Sequence, residues 1–386
     1  MINTLVEKEV LKLDKSNWSP TKLGDLATDL SKRVDNPSKS EYDRFVSLRN
    51  FVSGDIKIKF WDSTEGLASS AKAFQAGDIL FARRNAYLRR ASLVDFDGCC
   101  SGDAFVLREN YDKVEPGFLA FLMNSNALWD YANSNAAGTM SKRVKWRDLA
   151  EYEFLLPPKD QQAKLAELLW AMDEVIESER EVLDKLDIVY ERYLFDFFET
   201  DNQFKRIELG KLITIKSGDS PSTFQFTSKE KGYPFYKVKD LNESIKFQYF
   251  AKEWVKPIDS KTVLRGSVIF PKRGAAIMTN KVRITTEDCH VDTNTMALLV
   301  EDENILSNEF LFYFLYYKKL YKIADTSQIP QINNVHINPY PINLPSIEVQ
   351  LKFVNKLNEV LNTRLKIESK IKSSKALQKS LINQVF

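Results

Sequence analysis

Apolar residues recur at alternating steps of three and four through Leu165, Leu168, Met172, Val175, Val182, Leu186, Val189 and Tyr193. That spacing predicts a helix that buries one seam against a neighbour. Glu179 breaks the seam once, and Leu169, Ile176, Leu183 and Tyr190 widen it on one side. No Gly or Pro interrupts the stretch from Asp160 to Phe198, so the reading is one rod of roughly 58 Å at about 1.5 Å per residue. A rod of that length is expected to hold two bodies apart. A second seam runs through Phe353, Leu357, Val360, Ile367, Ile371, Leu381 and Val385, with Arg364, Ser374 and Gln378 as polar breaks. Gln162 and Gln350 stand 188 residues apart, as do Phe198 and Phe386. The two helices therefore match in length, and each is expected to pair with the other as an antiparallel coiled coil. The polar breaks predict weakened pairing, with part of the second seam exposed or facing a third helix.

Outside the rods the pattern changes. A short amphipathic leader (Leu5, Val10, Leu13) ends at Trp18-Ser19-Pro20, and Leu23-Gly24-Asp25-Leu26 opens a globular segment. Strands are expected at Phe45–Leu48, Ile56–Phe60, Gly77–Phe81, Leu93–Val94, Ala104–Leu107 and Phe154–Leu156, with a helix over Phe118–Ala132. After the polar linker Glu199–Gln203 the plan restarts. Leu209-Gly210-Lys211-Leu212 answers the opening, Gly266–Phe270 answers Gly77–Phe81, Thr295–Leu298 answers Ala104–Leu107, and a helix over Asn308–Ile323 answers Phe118–Ala132. The loop Asp325–Asn334 answers Asn133–Val144. The chain is an internal duplication, globule and rod twice over. Between the anchors the halves barely match, as two readers of different ligands on one frame would.

Composition adds little. The 386 residues suffice for two or three domains, and 44% hydrophobic with 28% charged residues is ordinary. A formal net charge of +2 means that any basic surface is local. Cys99, Cys100 and Cys289 are too few and too badly spaced for a disulfide framework or a zinc site, and they fit a reducing compartment. There is no signal-peptide pattern and no apolar run of about 18 residues, so no membrane span is expected.

Catalytic signatures are missing: no phosphate loop with Lys-Ser/Thr, no G-x-G-x-x-G after a strand, no H-E-x-x-H. His290 and His336 read as satisfied structural histidines. Asn338-Pro339-Tyr340 only partly matches an adenine-methyltransferase motif and has no cofactor-binding glycines beside it. Basic residues do cluster after equivalent strands: Arg83, Arg84, Arg89 and Arg90 in the first half, Lys272, Arg273, Lys281 and Arg283 in the second. Lys142, Arg143, Lys145 and Arg147 surround Trp146, and the matching loop is amide-rich instead, with Gln328, Gln331, Asn333 and Asn334. Arg reads guanine edges and Asn or Gln reads adenine, while Lys and Arg also grip phosphates. Repetition at matching positions favours nucleic acid over a solvated face.

The pattern resembles the specificity subunit of type I restriction–modification systems. The resemblance rests on the duplicated Leu-Gly openings (Leu23-Gly24, Leu209-Gly210), the Gly-led strands (Gly77–Phe81, Gly266–Phe270) and the Leu-Pro…Gln rod entrances (Leu156–Gln162, Leu344–Gln350). It covers nearly the whole chain, and order and repeat carry it more than any single motif. The second entrance departs from the pattern, with Ser346 for the second proline and Ile347-Glu348-Val349 before the glutamine. The resemblance implies a mixed α/β chain with target-recognition domains at 1–155 and 200–343 and spacer helices at 156–199 and 344–386. Each domain would read half of a split DNA target through the basic and amide residues above. The rod seams would pair and dock two methylation subunits, which bring S-adenosylmethionine, and through them motor–nuclease subunits. The chain itself would be non-catalytic and cytoplasmic, in a bacterium or archaeon. The competing readings are a coiled-coil scaffold with two protein-binding domains and an enzyme with an unrecognised nuclease site.

Overall fold

The computed structural model describes residues 13–200 and 204–386, apart from the Thr200 side chain. Leu5 and Val10 of the expected leader, and residues 201–203 of the expected linker, lie outside the described residues. The chain divides into two compact units. One comprises residues up to Val182 together with Ile367–Phe386, and the other is Leu183–Lys366. Each unit holds one α/β body and a stretch of both long helices, Lys159–Thr200 and Ile347–Val385.

The bodies share a skeleton. In the first, an antiparallel sheet runs Ala27–Asp29, Ala104–Glu109, Ile79–Ala82, Ala91–Leu93; in the second the same order is Ile213–Ser217, Thr295–Val300, Val268–Pro271, Arg283–Thr285. A parallel pair recurs, Phe45 facing Cys99 in one and Phe235 facing His290 in the other. A two-stranded ribbon closes each body at the helix entrance, Ser19–Lys22 with Glu153–Leu156 and Lys205–Glu208 with Pro341–Leu344. The Leu-Gly openings have a steric cause. Leu23 and Leu209 are fully buried, and their amides donate to the carbonyls of Tyr152 and Tyr340 at 2.9 and 2.8 Å. A Cβ on Gly24 would stand 3.0 Å from the Ala150 Cβ, and one on Gly210 would stand 2.9 Å from the Asn338 Cα, so only glycine admits that approach. Gly77 and Gly266 turn into their strands at φ +91° and +85°, the left-handed region where glycine is unstrained.

Three local expectations fail. The segment Ile56–Phe60 is no strand, being held by a single bridge from Lys57 to Leu93. The helix expected over Phe118–Ala132 is two, Phe118–Leu122 and Asn126–Ser134, because the Ser125 hydroxyl caps the second by accepting from the Leu128 amide. Its counterpart breaks at Lys319, whose φ is +63°, into Asn308–Lys318 and Leu320–Ile323.

The bonds of the entrance glutamines explain why they mark the repeat. Gln162 accepts from the Glu115 amide at 2.9 Å and donates to the Pro157 carbonyl at 2.9 Å and the Lys113 carbonyl at 3.3 Å. Gln350 accepts from the Ser307 amide at 2.9 Å and donates to the Pro345 and Ile305 carbonyls at 2.9 and 2.8 Å. Both are buried. The irregular second entrance thus makes the same three bonds as the first.

The helices pair in opposite directions within each unit, but the first helix does so on a face rotated from the expected seam. Leu168, Val175, Val182 and Val189 are 41%, 48%, 44% and 54% exposed. The buried positions are Gln162, Leu165, Ala166, Leu169, Asp173, Ile176 and Glu179, with Leu194 further on. Met172, Leu186 and Tyr193 are half-buried. Apolarity misplaced the seam because several true seam positions are polar and find partners on the second helix. Gln378 donates to Asp173 Oδ1 at 3.3 Å, and Lys370 Nζ lies 2.7 Å from Glu179 Oε1. In the second unit Arg364 pairs with Asp187 at 3.3 Å, and Tyr193 stacks on Phe353. The polar breaks at Arg364 and Gln378 therefore meet the first helix, not a third. On the second helix Phe353, Leu357, Leu381 and Val385 are buried and Val360, Ile367 and Ile371 half-buried.

A buried ion cluster fastens the first body to both helices. The Asp55 carboxylate accepts from Arg180 at 2.9 and 3.1 Å, from Lys375 at 3.1 Å and from Lys59 at 3.1 Å. Glu177 joins by accepting from Lys59 and Arg180. The second unit inverts the charge: the buried Lys246 ammonium meets Glu309, Asn358 of the second helix and the Tyr313 hydroxyl.

Asp55→Ala should cost about 2 kcal/mol in urea unfolding, since it removes a buried acceptor shared by three half-buried cations, of which Lys59 and Arg180 keep Glu177; a loss below about 1 kcal/mol would show that water replaces the carboxylate there. Glu109 supplies a pH test. It is buried, accepts from the Gly117 and Leu119 amides at 2.6 and 2.8 Å, and burial pushes its carboxyl up to about 7. The folded chain then holds this proton to higher pH than the unfolded chain. Its contribution to stability is full below the unfolded carboxyl's pKa and is lost as pH rises through about 7. Relative to Glu109→Gln, the parent should lose stability between about pH 4.5 and 7, whereas parallel profiles would contradict it.

Candidate nucleic-acid interface

The strand Ile79–Ala82 runs out into Arg83-Arg84-Asn85, and the loop after the second short helix returns beside it. The Val144 amide donates to the Arg83 carbonyl and the Asn85 amide to the Lys142 carbonyl, both at 2.9 Å. Arg84 bridges Arg143, which bridges Ala137 on its other side. The second body builds the same three-run patch. The Ile332 amide donates to the Lys272 carbonyl and the Gly274 amide to the Pro330 carbonyl, both at 2.8 Å; Arg273 bridges Gln331, and Gln331 bridges Asp325. Even the positive-φ positions recur: Asn85 at 55° and Gly274 at 77°. Backbone pairing thus brings together the two clusters that were separate in sequence, in each half.

The side chains differ. In the first body Asp103 grips both guanidinium groups: Arg143 at 2.8 and 3.4 Å and Arg84 at 3.4 Å, with Arg84 also donating to the Ser141 hydroxyl at 3.3 Å. The Arg143 contact holds the Asp103 carboxyl below its usual range. Two arginines aimed by one carboxylate form a preset donor pair. Arg83 lies with its guanidinium over the Phe105 ring, and Lys142, Lys145 and Arg147 are exposed around it. In the second body Asn294 stands where Asp103 does, its carbonyl accepting from the Lys272 amide as the Asp103 carbonyl accepts from the Arg83 amide. Arg273, Gln328, Asn333 and Asn334 are exposed, and Gln331 is half-buried. Lys272 is also half-buried, and burial lowers its pKa. Asn333 caps the helix Asn334–Ile337 together with His336. Each loop tip carries an apolar side chain in solvent, Met140 at 97% exposure and Ile329 at 60%.

Several predicted residues take other duties. Arg90 donates to the Leu48 carbonyl at 2.8 Å, and Arg283 donates to the Leu241 carbonyl at 3.1 and 2.8 Å, where burial brings it down to about 10. Sequence spacing does not reveal which basic residues after a strand turn inward, and a buried guanidinium must find carbonyls. Arg89 pairs with Asn126 and Asp130, beside the second short helix. Lys281 is half-buried beyond the turn Ala275–Thr279. Sequence reasoning missed Asp103, Met140 and Ile329. The only signal for the last two was an apolar residue inside a polar loop, and Asp103 gave none. His290 is buried and accepts from the Ile258 amide, with burial lowering its pKa. The Asn338 and Tyr340 carbonyls are occupied by the second Leu-Gly opening. Among the described residues no helix is long and apolar enough to cross a membrane.

A twice-built basic patch on a duplicated α/β frame defines a two-headed recognition protein. The family described as "Type I restriction modification DNA specificity domain" matches residues 15–187 and again 202–374, and the chain belongs to it. The specificity subunit of the type I restriction enzyme EcoDI of Escherichia coli is 24% identical over 169 residues, 42% of this chain and 37% of that protein. That of MjaIX from Methanocaldococcus jannaschii is 22% identical over 264 residues, 60% of each. The chain thus spans less than two thirds of either relative's length. A solved chain from work on complex assembly and conformational transition of the type I R-M system shares the fold, with a TM-score of 0.63, 23% identity and coverage of 96% of this chain and 97% of that one.

Asp103→Asn should loosen both guanidinium groups and remove a negative charge. Affinity for random duplex should rise while discrimination between cognate and random duplex falls by about tenfold, the scale of one well-aimed bidentate contact. Unchanged discrimination would mean that Asp103 does not aim the pair.

Proposed function

We propose that the chain is the sequence-reading subunit of a type I restriction–modification complex and is non-catalytic by itself. The first target-recognition domain is 1–155 and the second 200–343, each reading one half of a split DNA target. The observation that carries this reading is one backbone patch built twice with different side chains. The first presents Arg84 and Arg143, suited to guanine edges, and the second presents Arg273, Gln331, Asn333 and Asn334, with amides suited to adenine. Lys142, Lys145 and Arg147 grip phosphates and set the salt dependence. Met140 and Ile329 reach thymine methyl groups or base steps. Arg90 and Arg283 are left out because their guanidinium groups turn inward onto backbone carbonyls.

The segments 156–199 and 344–386 are the spacer in this reading. Leu168, Val175 and Val182, exposed at seven-residue intervals, form the apolar face on which a methylation subunit docks. S-adenosylmethionine belongs to that partner, and motor–nuclease subunits join through it. The setting is the cytoplasm of a bacterium or archaeon.

Changing Lys142, Arg143, Lys145 and Arg147 together to Ala should weaken DNA binding by the complex and flatten its salt slope by roughly 0.9 for each phosphate no longer neutralised. Binding indifferent to salt and sequence would favour a protein-binding scaffold instead. Exchanging residues 204–340 for those of a relative should change one half of the methylated target and leave the other. A change in both halves would overturn the modular reading.

A further inference from the structure

A cavity of about 320 Å³ lies in the first unit, between the turn Ser53–Gly54, the helix Asn126–Ser134 and the end of the second long helix. Its volume is at the small end of ligand sites. Six of the lining residues are Arg89, Asn126, Trp129, Lys375, Gln378 and Lys379, all donors and three of them cations, and the lining contains no carboxylate. Three carboxylates stand behind the wall, Asp173 bonded to Gln378 at 3.3 Å and two others to lining cations, which leaves Lys379 as the cation of the wall bonded to no carboxylate. Asp130 is bonded to Arg89 at 2.8 Å, and Asp55 is shared by Lys375, Lys59 and Arg180. The Lys379 ammonium donates to a neutral acceptor, the Asn124 carbonyl. Burial first and the charge of Arg89 second lower the pKa of Lys379. The Trp129 indole is fully buried, stacked on Phe81, and its Nε1 has no hydrogen-bond partner. Three cations on the wall of one cavity, with no carboxylate in the lining, raise the local concentration of anions and point to an anionic ligand.

The repeat provides an internal control. The positions 188 residues earlier than Lys375, Gln378 and Lys379 are Asp187, Tyr190 and Glu191. In the second unit the cavity beside Asp187 and Tyr190 is only about 40 Å³, and Tyr190 meets Tyr316 edge-on there. The frame therefore does not require a basic cavity at this place.

We propose that this cavity in the first unit binds a phosphate oxyanion, with Lys379, Arg89 and Lys375 supplying the positive charge and the Asn126 side-chain amide donating to it. An ammonium has three donors, so Lys375 keeps its bond to Asp55 while it reaches the anion. The phosphate comes from a free polyphosphate or from a DNA backbone, and the chemistry is the same. The site does not depend on which bases the two bodies read.

The test is calorimetric titration of the full chain with pyrophosphate, for the parent, Lys379→Gln and Lys379→Arg. One saturable site per chain is expected, weakened at least tenfold in Lys379→Gln and restored in Lys379→Arg, with melting temperatures recorded for all three. Should Lys379→Gln fail to fold, Arg89→Gln takes its place. No saturable binding to the parent, or equal binding by folded parent and variants, would overturn the proposal. Competition with duplex DNA identifies the source. If pyrophosphate displaces DNA and Lys379→Gln lowers the salt slope by about one, the phosphate belongs to DNA. If DNA binding is indifferent to both, the ligand is a free polyphosphate.

Discussion

A buried carboxylate shared among three cations fixes the first body on its helices. Two of the partners of Asp55 belong to the long helices, so the body cannot rotate on its seat without leaving charge unpaired. Replacing such a cluster by packed hydrocarbon is often as stable, because desolvation offsets much of the attraction. What hydrocarbon lacks is a single preferred arrangement. The second body solves the same problem with the opposite sign, a buried ammonium held by Glu309 and by Asn358 of the second helix. Seam pairs such as Asp173–Gln378 and Asp187–Arg364 extend the logic along the helices. A run of aliphatics tolerates slippage by a heptad, whereas a polar residue opposite the wrong neighbour does not.

Upon that fixed seating the two halves diverge through their loops. Everything that sets the path of the backbone recurs: the Leu-Gly approach, the glycine that turns into the central strand, the entrance glutamine and the bridged patch. What differs is the set of side chains on the patch. Fixed backbone with free side chains is how a binding surface changes target without refolding.

The duplication was legible because its anchors are glycines and glutamines whose geometry tolerates few substitutes. Gly24, Gly77 and Gln162 each answer a specific steric or hydrogen-bonding demand, so their counterparts recur at nearly equal spacing, 186, 189 and 188 residues on. The long helices were legible for the same reason of repetition. The face they use was not. Leu168 and Leu169 are equally apolar, and the choice between them lay with Asp173 and Gln378, which look unfavourable at a seam until they are seen bonded to each other. The patch was half legible. Clusters of Arg and Lys drew attention, but Arg90 and Arg283 point to carbonyls that only the fold supplies. Asp103, the residue that organises the patch, is an acid in a region scanned for bases.

The grip of Asp103 on Arg84 and Arg143 makes the two heads electrically unequal. In the first, one acid offsets part of the charge of two arginines and fixes their direction, while Lys142 and Lys145 beside them stay exposed. Its counterpart has an amide in place of that acid and sets Arg273 among neutral amide side chains. Two heads so differently charged would feel dissolved salt unequally, the one richer in exposed ammonium groups being screened the more.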